Sequence, residues 1–292
     1  MPGKRLLTTL TLSILIAGTL VSEATPQVAQ VASIFKGIAV LKVQLGQKVK
    51  KGQLLFEVNQ DILKVQKKFN EQDLKFNQKV IAGADKLIKT NAISLADYQE
   101  CLKDKIDAHE ALAITNIAID DSKYYSPFDG TVTKIIRYDG SGLGDNDPEV
   151  EVTEGNVEVD TKNPIALVCT RYPAILDLKV TLGQKVKKGD LLFVSNTAMF
   201  TAKKKQAENL LAYYDEIYKR RVKLYKTHTV SEYLYYLSEN DYHRAEMNLA
   251  VSKLEIAQSS GYAPFDGTVT EIFRYTGSGN GAGKPVLNIK GN

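Results

Sequence analysis

The chain has 292 residues, of which 43% are hydrophobic and 25% are charged. This composition is that of an ordinary globular protein and excludes collagen-like, disordered and polytopic membrane classes. The formal net charge of +4 is too small for a protein that neutralises many phosphates, so we expect no nucleic-acid partner. Two cysteines and three unclustered histidines are too few for a disulfide framework or a structural zinc site. Length alone predicts two domains, each large enough to bury a core.

The N-terminus has the pattern of an export signal. Two basic residues precede a moderately apolar run at 6–21, and Ala24 completes a small-x-small pattern. The run contains four threonines and is shorter than the roughly 20 apolar residues that a membrane span needs. We therefore expect residues 1–24 to be a signal peptide cleaved after Ala24. The alternative is a retained inner-membrane anchor.

Two sequence blocks each occur twice in the chain. LGQKVKKGQLLF, beginning at Leu45, recurs from Leu182 as LGQKVKKGDLLF, with 11 of 12 positions identical. PFDGTVTKIIRYDGSG, beginning at Pro127, recurs from Pro264 as PFDGTVTEIFRYTGSG, with 13 of 16 identical. The offset between the copies is the same for both blocks, so no insertion separates one copy from the other.

This constant offset predicts a tandem duplication. One unit lies at 28–155 and the other at 165–292, with a connector at 156–164. We therefore expect the two units to have the same order of secondary-structure elements.

Each unit begins and ends with predicted strands. In the first unit, apolar residues alternate with polar ones from 39 to 45, and Gly46 and Gly52 mark tight turns. Residues 131–138 are rich in β-branched and aromatic side chains, which also favour a strand. We expect the acidic stretch at 145–154 to be solvated.

A long helical segment lies between the strand blocks. Residues 59–122 contain no proline and one glycine. Their apolar spacing predicts two antiparallel helices that are interrupted at 90–94, with Ser94 and Asp97 as a capping pair. Helices of roughly 28 residues reach about 40 Å, so the hairpin projects from the strands. The second unit repeats this plan at 196–259. The apolar stripe of the first helix is predicted to be Ile62, Val65, Phe69, Phe76, Val80, Ala84 and Leu87, and that of the second Leu95, Tyr98, Leu102, Ile106, His109 and Leu112.

The blocks G-x-x-V-x-x-G-x-x-L and PFDGxVxxI, separated by a helical hairpin, resemble the split lipoyl domain of the membrane fusion protein (periplasmic adaptor, HlyD-type) family. The resemblance covers both units. It implies an α+β fold with two tandem lipoyl-like β-sandwich (barrel-sandwich hybrid) domains, each with an inserted long antiparallel α-helical coiled-coil hairpin. The lipoyl-like domains are then 28–58 plus 123–155 and 165–195 plus 260–292.

The same resemblance implies a function. Adaptors of this family bridge an inner-membrane transporter, of the ABC or RND type, to a TolC-like outer-membrane channel in efflux or type I secretion. We expect the same partners and a periplasmic location for this chain. Family adaptors form sixfold rings, so the duplication suggests a homo-oligomer in which three chains make a pseudo-hexameric ring.

The hairpin tip of this family often carries R-x3-L-x6-S. The second unit has the whole pattern, as Arg220, Leu224 and Ser231, whereas the first has Leu87 and Ser94 but a glycine in place of the arginine. An exposed arginine can bond carboxylates or carbonyls of a partner, and a leucine can fill a groove. The alternative is purely structural: a solvated arginine, a leucine inside the hairpin and a serine cap.

The two hairpins differ in aromatic content. The first contains one tyrosine, Tyr98, and the second contains eight. Eight tyrosines exceed what one two-helix seam can bury, so we expect the second hairpin to pack against neighbours or a partner. These tyrosines are Tyr213, Tyr214, Tyr218, Tyr225, Tyr233, Tyr235, Tyr236 and Tyr242.

Two other functions compete with the adaptor. Lipoyl and biotinyl carriers use the same half-motifs, but they present a lysine on a tight turn that is here replaced by a hairpin. We therefore predict no enzymatic activity and no cofactor. The second alternative is an envelope scaffold with adaptor-like hairpins. It stays open because the two units account for the chain after residue 27, and we expect neither the β-barrel nor the membrane-proximal domain of a typical adaptor.

Overall fold

The computed structural model describes residues 26–144, 146 and 148–292. The predicted signal peptide at 1–24 lies outside these residues. Within them, no helix is both long enough and apolar enough to cross a membrane.

The described part of the first unit contains eight strands and two helices. The helices are α1 (Asp61–Lys89) and α2 (Leu95–Asp121), which together form hairpin 1. The strands are β1 (Val28–Ala32), β2 (Gly37–Leu41), β3 (Lys48–Val49), β4 (Leu54–Val58), β5 (Lys123–Tyr125), β6 (Gly130–Ile135), β7 (Gly142–Leu143) and β8 (Pro148–Glu154).

The second unit repeats this order. Each of its elements begins at the position equivalent to the start of its counterpart, at the offset that separates the repeated blocks. Its helices are α3 (Ala198–Lys226) and α4 (Glu232–Ala257), which form hairpin 2. Its strands are β9 (Ile165–Cys169), β10 (Ala174–Leu178), β11 (Lys185–Val186), β12 (Leu191–Ser195), β13 (Ser260–Tyr262), β14 (Gly267–Ile272), β15 (Gly279–Asn280) and β16 (Pro285–Gly291).

The strands of each unit form two antiparallel four-stranded sheets, which we call its strand body. Their orders are β1-β8-β6-β3 and β5-β4-β2-β7 in the first unit, and β9-β16-β14-β11 and β13-β12-β10-β15 in the second. Apolar alternation gives each body a core: Leu55, Phe56 and Val150 are fully buried, and Val132 lies opposite Val152 across β6 and β8. Burial of each side chain of this kind contributes about 1.5–3 kcal/mol to the free energy of folding. The strand bodies are therefore the stable base from which the hairpins extend.

The acidic stretch before the connector is partly buried. Glu149 lies in β8, between β1 and β6, and is buried. Its Oε2 accepts a hydrogen bond from the backbone N–H of Ser33 at 2.8 Å. Glu154, at the end of the strand, is exposed. The expectation that this stretch is solvated is therefore wrong for Glu149, because the central position of β8 encloses it.

The buried face of α2 differs from the predicted stripe. Leu95 and Ile106 are exposed, whereas the small residues Ala108 and Thr115 are buried. Small side chains suit this seam because α1 lies close: Asn70 Nδ2 donates to Thr115 Oγ1 at 2.8 Å. The prediction that Leu95, Ile106 and His109 belong to the seam is therefore wrong, because all three are exposed.

The two strand bodies contact each other through a buried arginine. Arg137 Nη1 donates to the carbonyl oxygens of Gly142, at 2.7 Å, and Gly283, at 3.0 Å. The ring of Tyr138 meets the ring of Phe265 edge-on, with centroids 5.0 Å apart. The residues that the two bodies contribute to this contact are not equivalent, so it joins unlike faces of the two bodies.

A close backbone approach accompanies this contact. A Cβ atom on Gly142 would lie 2.2 Å from the carbonyl oxygen of Thr170, so only glycine fits there. At the equivalent position, Gly279, a Cβ would meet no heavy atom of the described residues within 4 Å. One glycine is required by packing and its counterpart is not.

The hairpins also lie side by side, with α1 between α2 and α4. Asn240 Nδ2 on α4 donates to Asp73 Oδ1 on α1 at 2.8 Å. Lys79 Nζ lies 3.8 Å from the ring centroid of Tyr236. Tyr236 therefore packs against the neighbouring hairpin, as expected for the tyrosine-rich hairpin 2.

Candidate partner-binding site at the hairpin tips

The tip of hairpin 1 is a tight helix-ending turn. After α1, Asn91 adopts a left-handed conformation with φ of +54°. The N–H of Ala92 donates to the carbonyl of Leu87 at 2.9 Å, and that of Asn91 to Ile88 at 3.2 Å. This pair of bonds is a Schellman motif, which satisfies the last carbonyls of the helix.

The tip of hairpin 2 uses the same turn. His228 has φ of +55°, and its N–H donates to the carbonyl of Tyr225 at 3.0 Å. The N–H of Thr229 donates to the carbonyl of Leu224 at 2.8 Å. Leu87 and Leu224 thus occupy equivalent places, and their backbone role requires no particular side chain. The Leu87 side chain is 46% exposed, whereas that of Leu224 is half-buried.

The tip serines cap the returning helices. Ser94 Oγ accepts from the N–H of Asp97 at 3.1 Å, and Asp97 Oδ2 accepts from the N–H of Ser94 at 3.3 Å. This confirms the predicted capping box. Ser231 Oγ accepts a single bond, from the N–H of Leu234 at 3.3 Å. Both serines are exposed as well, so capping leaves them accessible to a partner.

Two adjacent arginines near the second tip have different environments. Arg221 Nη1 donates to the carbonyl of Leu234 at 2.7 Å and so links α3 to α4. Arg220 is exposed, and no hydrogen bond or ion pair joins it to the described residues. At the equivalent position of hairpin 1, a Cβ on Gly83 would meet no described heavy atom within 4 Å. Sequence reasoning identified Arg220 but missed the structural role of Arg221.

A groove runs between hairpin 1 and α4. Its volume is about 1120 Å³. Leu87 and Ile93 from the first tip and Ser231 and Tyr233 from the second line one part of it. Of the predicted site residues, the structure brings only Leu87 and Ser231 together in this groove. The sequence gives no signal for it, because it depends on how the hairpins pack.

Four of the eight tyrosines of hairpin 2 form a stack inside that hairpin. The rings of Tyr225 and Tyr235 lie 4.6 Å apart at an angle of 8°, and Tyr218 stacks on Tyr242 at 5.5 Å. Tyr213 is among those that remain exposed. The aromatic content therefore serves the hairpin's own seam, its contact with hairpin 1 and a free surface.

The ionisation of the tyrosines reflects these contacts. A hydrogen bond to the Glu232 carboxylate raises the pKa of Tyr236 to about 12. Burial, together with neighbouring Tyr235 and Glu239, raises the pKa of Tyr218 above its ordinary value. Both phenols therefore stay protonated at neutral pH and act as hydrogen-bond donors. Burial likewise raises the pKa of the Cys101 thiol, which disfavours the reactive thiolate.

No protein-family model and no curated relative matches the chain. Among solved structures, a protein named as an efflux transporter from Bacteroides eggerthii DSM 20697 matches with a TM-score of 0.41 and 19% identity, over 44% of this chain and 40% of that one. A membrane fusion protein from Streptococcus pneumoniae R6 matches with a TM-score of 0.34 and 19% identity, over 44% of this chain and 65% of that one. The chain resembles membrane fusion proteins.

A MacA-MexA chimeric protein that contains the α-hairpin domain of Pseudomonas aeruginosa MexA also matches. Its TM-score is 0.37 at 24% identity, over 56% of this chain and 55% of that one. The chain spans less than two thirds of the length of each of these three structures.

Proposed function

We propose that the chain is a periplasmic adaptor-like (membrane fusion) subunit of an efflux pump or type I secretion system. Its hairpin tips dock a TolC-like outer-membrane channel, and its strand bodies are lipoyl-like domains that form a ring. An inner-membrane transporter of the ABC or RND type is the second partner. Three copies, each contributing two units, make a pseudo-hexameric ring.

The exposed end of hairpin 2 carries this proposal. Arg220 presents a guanidinium without a partner among the described residues, near a tip closed by the Ser231 cap. A guanidinium of this kind makes charge-assisted, bidentate hydrogen bonds to carboxylates or carbonyl oxygens at the end of a partner helix. Leu224 remains half-buried beside it and adds an apolar contact.

The first tip supports a docking surface with unequal halves. Leu87 and Ser94 are exposed there, but Gly83 supplies no side chain at the arginine position. A channel protein that meets both tips through unlike grooves would match this difference. The first tip then contributes apolar area and the second contributes the charged contact.

Copurification of the channel with a tagged form of the chain from envelope extracts tests the proposal. Arg220→Ala should weaken capture of a TolC-like channel by about 10-fold to 100-fold, because a hydrogen bond to a charged group is worth about 1.5–3 kcal/mol. Lys223→Ala removes an exposed cation from the same helix and should have little effect. Equal capture by both variants would contradict the docking role of Arg220. An intact envelope phenotype without either tip would favour the scaffold.

A further inference from the structure

The contact between the two hairpins buries one face of α1 and one face of α4, but not the equivalent faces of α3 and α2. One face of α1 is covered by α4 through the Asn240–Asp73 hydrogen bond, and Arg244 lies over the ring of Phe69. Because the two units have the same elements at equivalent positions, α3 has a face matching that of α1, and α2 has a face matching that of α4. Neither matching face is covered by the described part of the chain.

The uncovered face of α3 is apolar. Met199, Leu210 and Tyr213 are 38–61% exposed. They stand at the positions equivalent to 62, 73 and 76 of α1, on the same helical face as Phe69. Position 73 in α1 is an aspartate that bonds α4, whereas its counterpart in α3 is an exposed leucine. An exposed apolar stripe of this kind indicates a protein contact.

The uncovered face of α2 is apolar as well. Ile106, Ile114 and Ile117 are 57–63% exposed. Their equivalents in α4 are residues 243, 251 and 254, on the side of that helix that lies against hairpin 1, and each is half-buried. Ile106, which the sequence predicted for the hairpin 1 seam, therefore lies with Ile114 and Ile117 where a second seam would be.

Charge complementarity links the two uncovered helices. Helix α3 carries eight basic and three acidic residues, and α2 carries two basic and seven acidic ones. The pair that does pack has the same polarity, since α1 has seven basic and four acidic residues and α4 has two basic and five acidic. A basic first helix against an acidic second helix is thus the observed mode of packing, and α3 with α2 would repeat it more strongly.

The strand bodies show the same asymmetry. Arg137 and Tyr138 are enclosed between the bodies. Their equivalents in the second unit, Arg274 and Tyr275, are exposed. The exposed Arg274 and Tyr275 and the uncovered face of α3 all belong to the second unit. The enclosed Arg137 and Tyr138 and the covered face of α1 all belong to the first.

We infer that a second copy of this chain covers these faces, with α2 of one copy packed against α3 of the next in the manner of α4 on α1. This deepens the proposed ring and rests on it. The contact joins unlike faces, so it is heterologous, and successive copies close into a ring. By equivalence with Asn240 and Asp73, the register places Lys103 of one copy opposite Leu210 of the next.

Disulfide trapping in the full chain tests this register. The variant carries Lys103→Cys and Leu210→Cys, with Cys101→Ser and Cys169→Ala to remove the native thiols; serine and alanine are the residues at the equivalent positions. We expect covalent dimers and trimers on oxidation. The matched control pairs Lys103→Cys with Ala212→Cys, an exposed position on nearly the opposite face of α3, and should give no covalent oligomers. Equal crosslinking of both pairs, or of neither, overturns the inference.

A second variant separates this inference from channel docking. Replacing two of the three exposed isoleucines, by Ile114→Asp and Ile117→Asp, should lower the solution mass to that of one chain while far-ultraviolet dichroism is unchanged. An unchanged oligomer mass contradicts the interface. Covalent trimers that capture no channel would support the self-association and refute docking. Channel capture by a monomeric chain would support docking and refute the self-association.

Discussion

The packing of hairpin 1 against hairpin 2 depends on a short hydrogen bond, and one substitution turns this attraction into a repulsion between two carboxylates. Asn240 is 4% exposed, and its Nδ2 lies 2.8 Å from Asp73 Oδ1. Asn240→Asp replaces this donor with a second carboxylate. At about 4 Å, two like charges repel by about 1 kcal/mol in bulk water and by about 4 kcal/mol at an effective dielectric constant of 20.

Because Asn240 is buried, the repulsion in the variant should be nearer to about 4 kcal/mol than to about 1 kcal/mol. Even a repulsion of about 2 kcal/mol shifts the equilibrium towards separated hairpins by about thirtyfold. The assay is the distance distribution between spin labels on Lys89→Cys and Lys226→Cys, at the ends of α1 and α3, with the native cysteines replaced. We expect a narrow distribution in the parent and a broad, longer one in the variant at neutral pH. Acidification protonates one carboxyl group and should restore the narrow distribution.

Asn248→Asp is the matched control, because it makes the same change at an exposed position of α4. Its distribution should equal that of the parent at every pH. If Asn240→Asp and Asn248→Asp give the same narrow distribution at neutral pH, the side-by-side packing of the hairpins does not depend on this contact and the reasoning fails.

Three further predictions concern stability and ionisation. Gly142→Ala should lower the urea midpoint of unfolding clearly, because its Cβ would overlap a carbonyl oxygen, while Gly279→Ala should leave it nearly unchanged. Ser94→Ala should cost about 1 kcal/mol of local stability and speed amide exchange in the first turn of α2; Ser231→Ala, which removes a single longer bond, should have the smaller effect, and the reverse order would contradict the capping geometry. The pKa of Tyr236 is raised from 10.0 to about 12, so its contribution to stability is complete below pH 10.0 and is lost as pH rises through about 12. Because the pKa of Tyr218 is raised as well, the late phase of the alkaline absorbance titration should lose the amplitude of one tyrosine in Tyr236→Phe, and an unchanged late phase would contradict the shift.

Local features of the hairpins were accessible from the sequence. A segment without proline, an apolar helical period and a Ser94–Asp97 pair located the interruption at 90–94, and the structure has a capping box there. These signals act over three or four residues, so the sequence alone expresses them. The same holds for the strand block at 131–138, where β-branched and aromatic residues indicated a strand and β6 has the buried Val132.

Non-local packing was not accessible. Glu149 follows acidic residues and has the pattern of a solvated loop, but pairing of β8 with strands on both sides encloses it. Ile106 fits the apolar period of α2, yet the close approach of α1 favours small residues in the seam. The contact of Asn240 with hairpin 1 joins positions far apart in the sequence and has no local signal.

Photo-crosslinking from the second hairpin tip in intact cells tests the adaptor role most directly. A photoreactive amino acid replaces Val230, beside the exposed Ser231 cap, and Ile93 in the first tip is labelled for comparison. We predict that the second tip captures a TolC-like outer-membrane channel, and that Arg220→Ala reduces this capture. Capture of no channel from either tip, with envelope function retained when both tips are deleted, would contradict the adaptor.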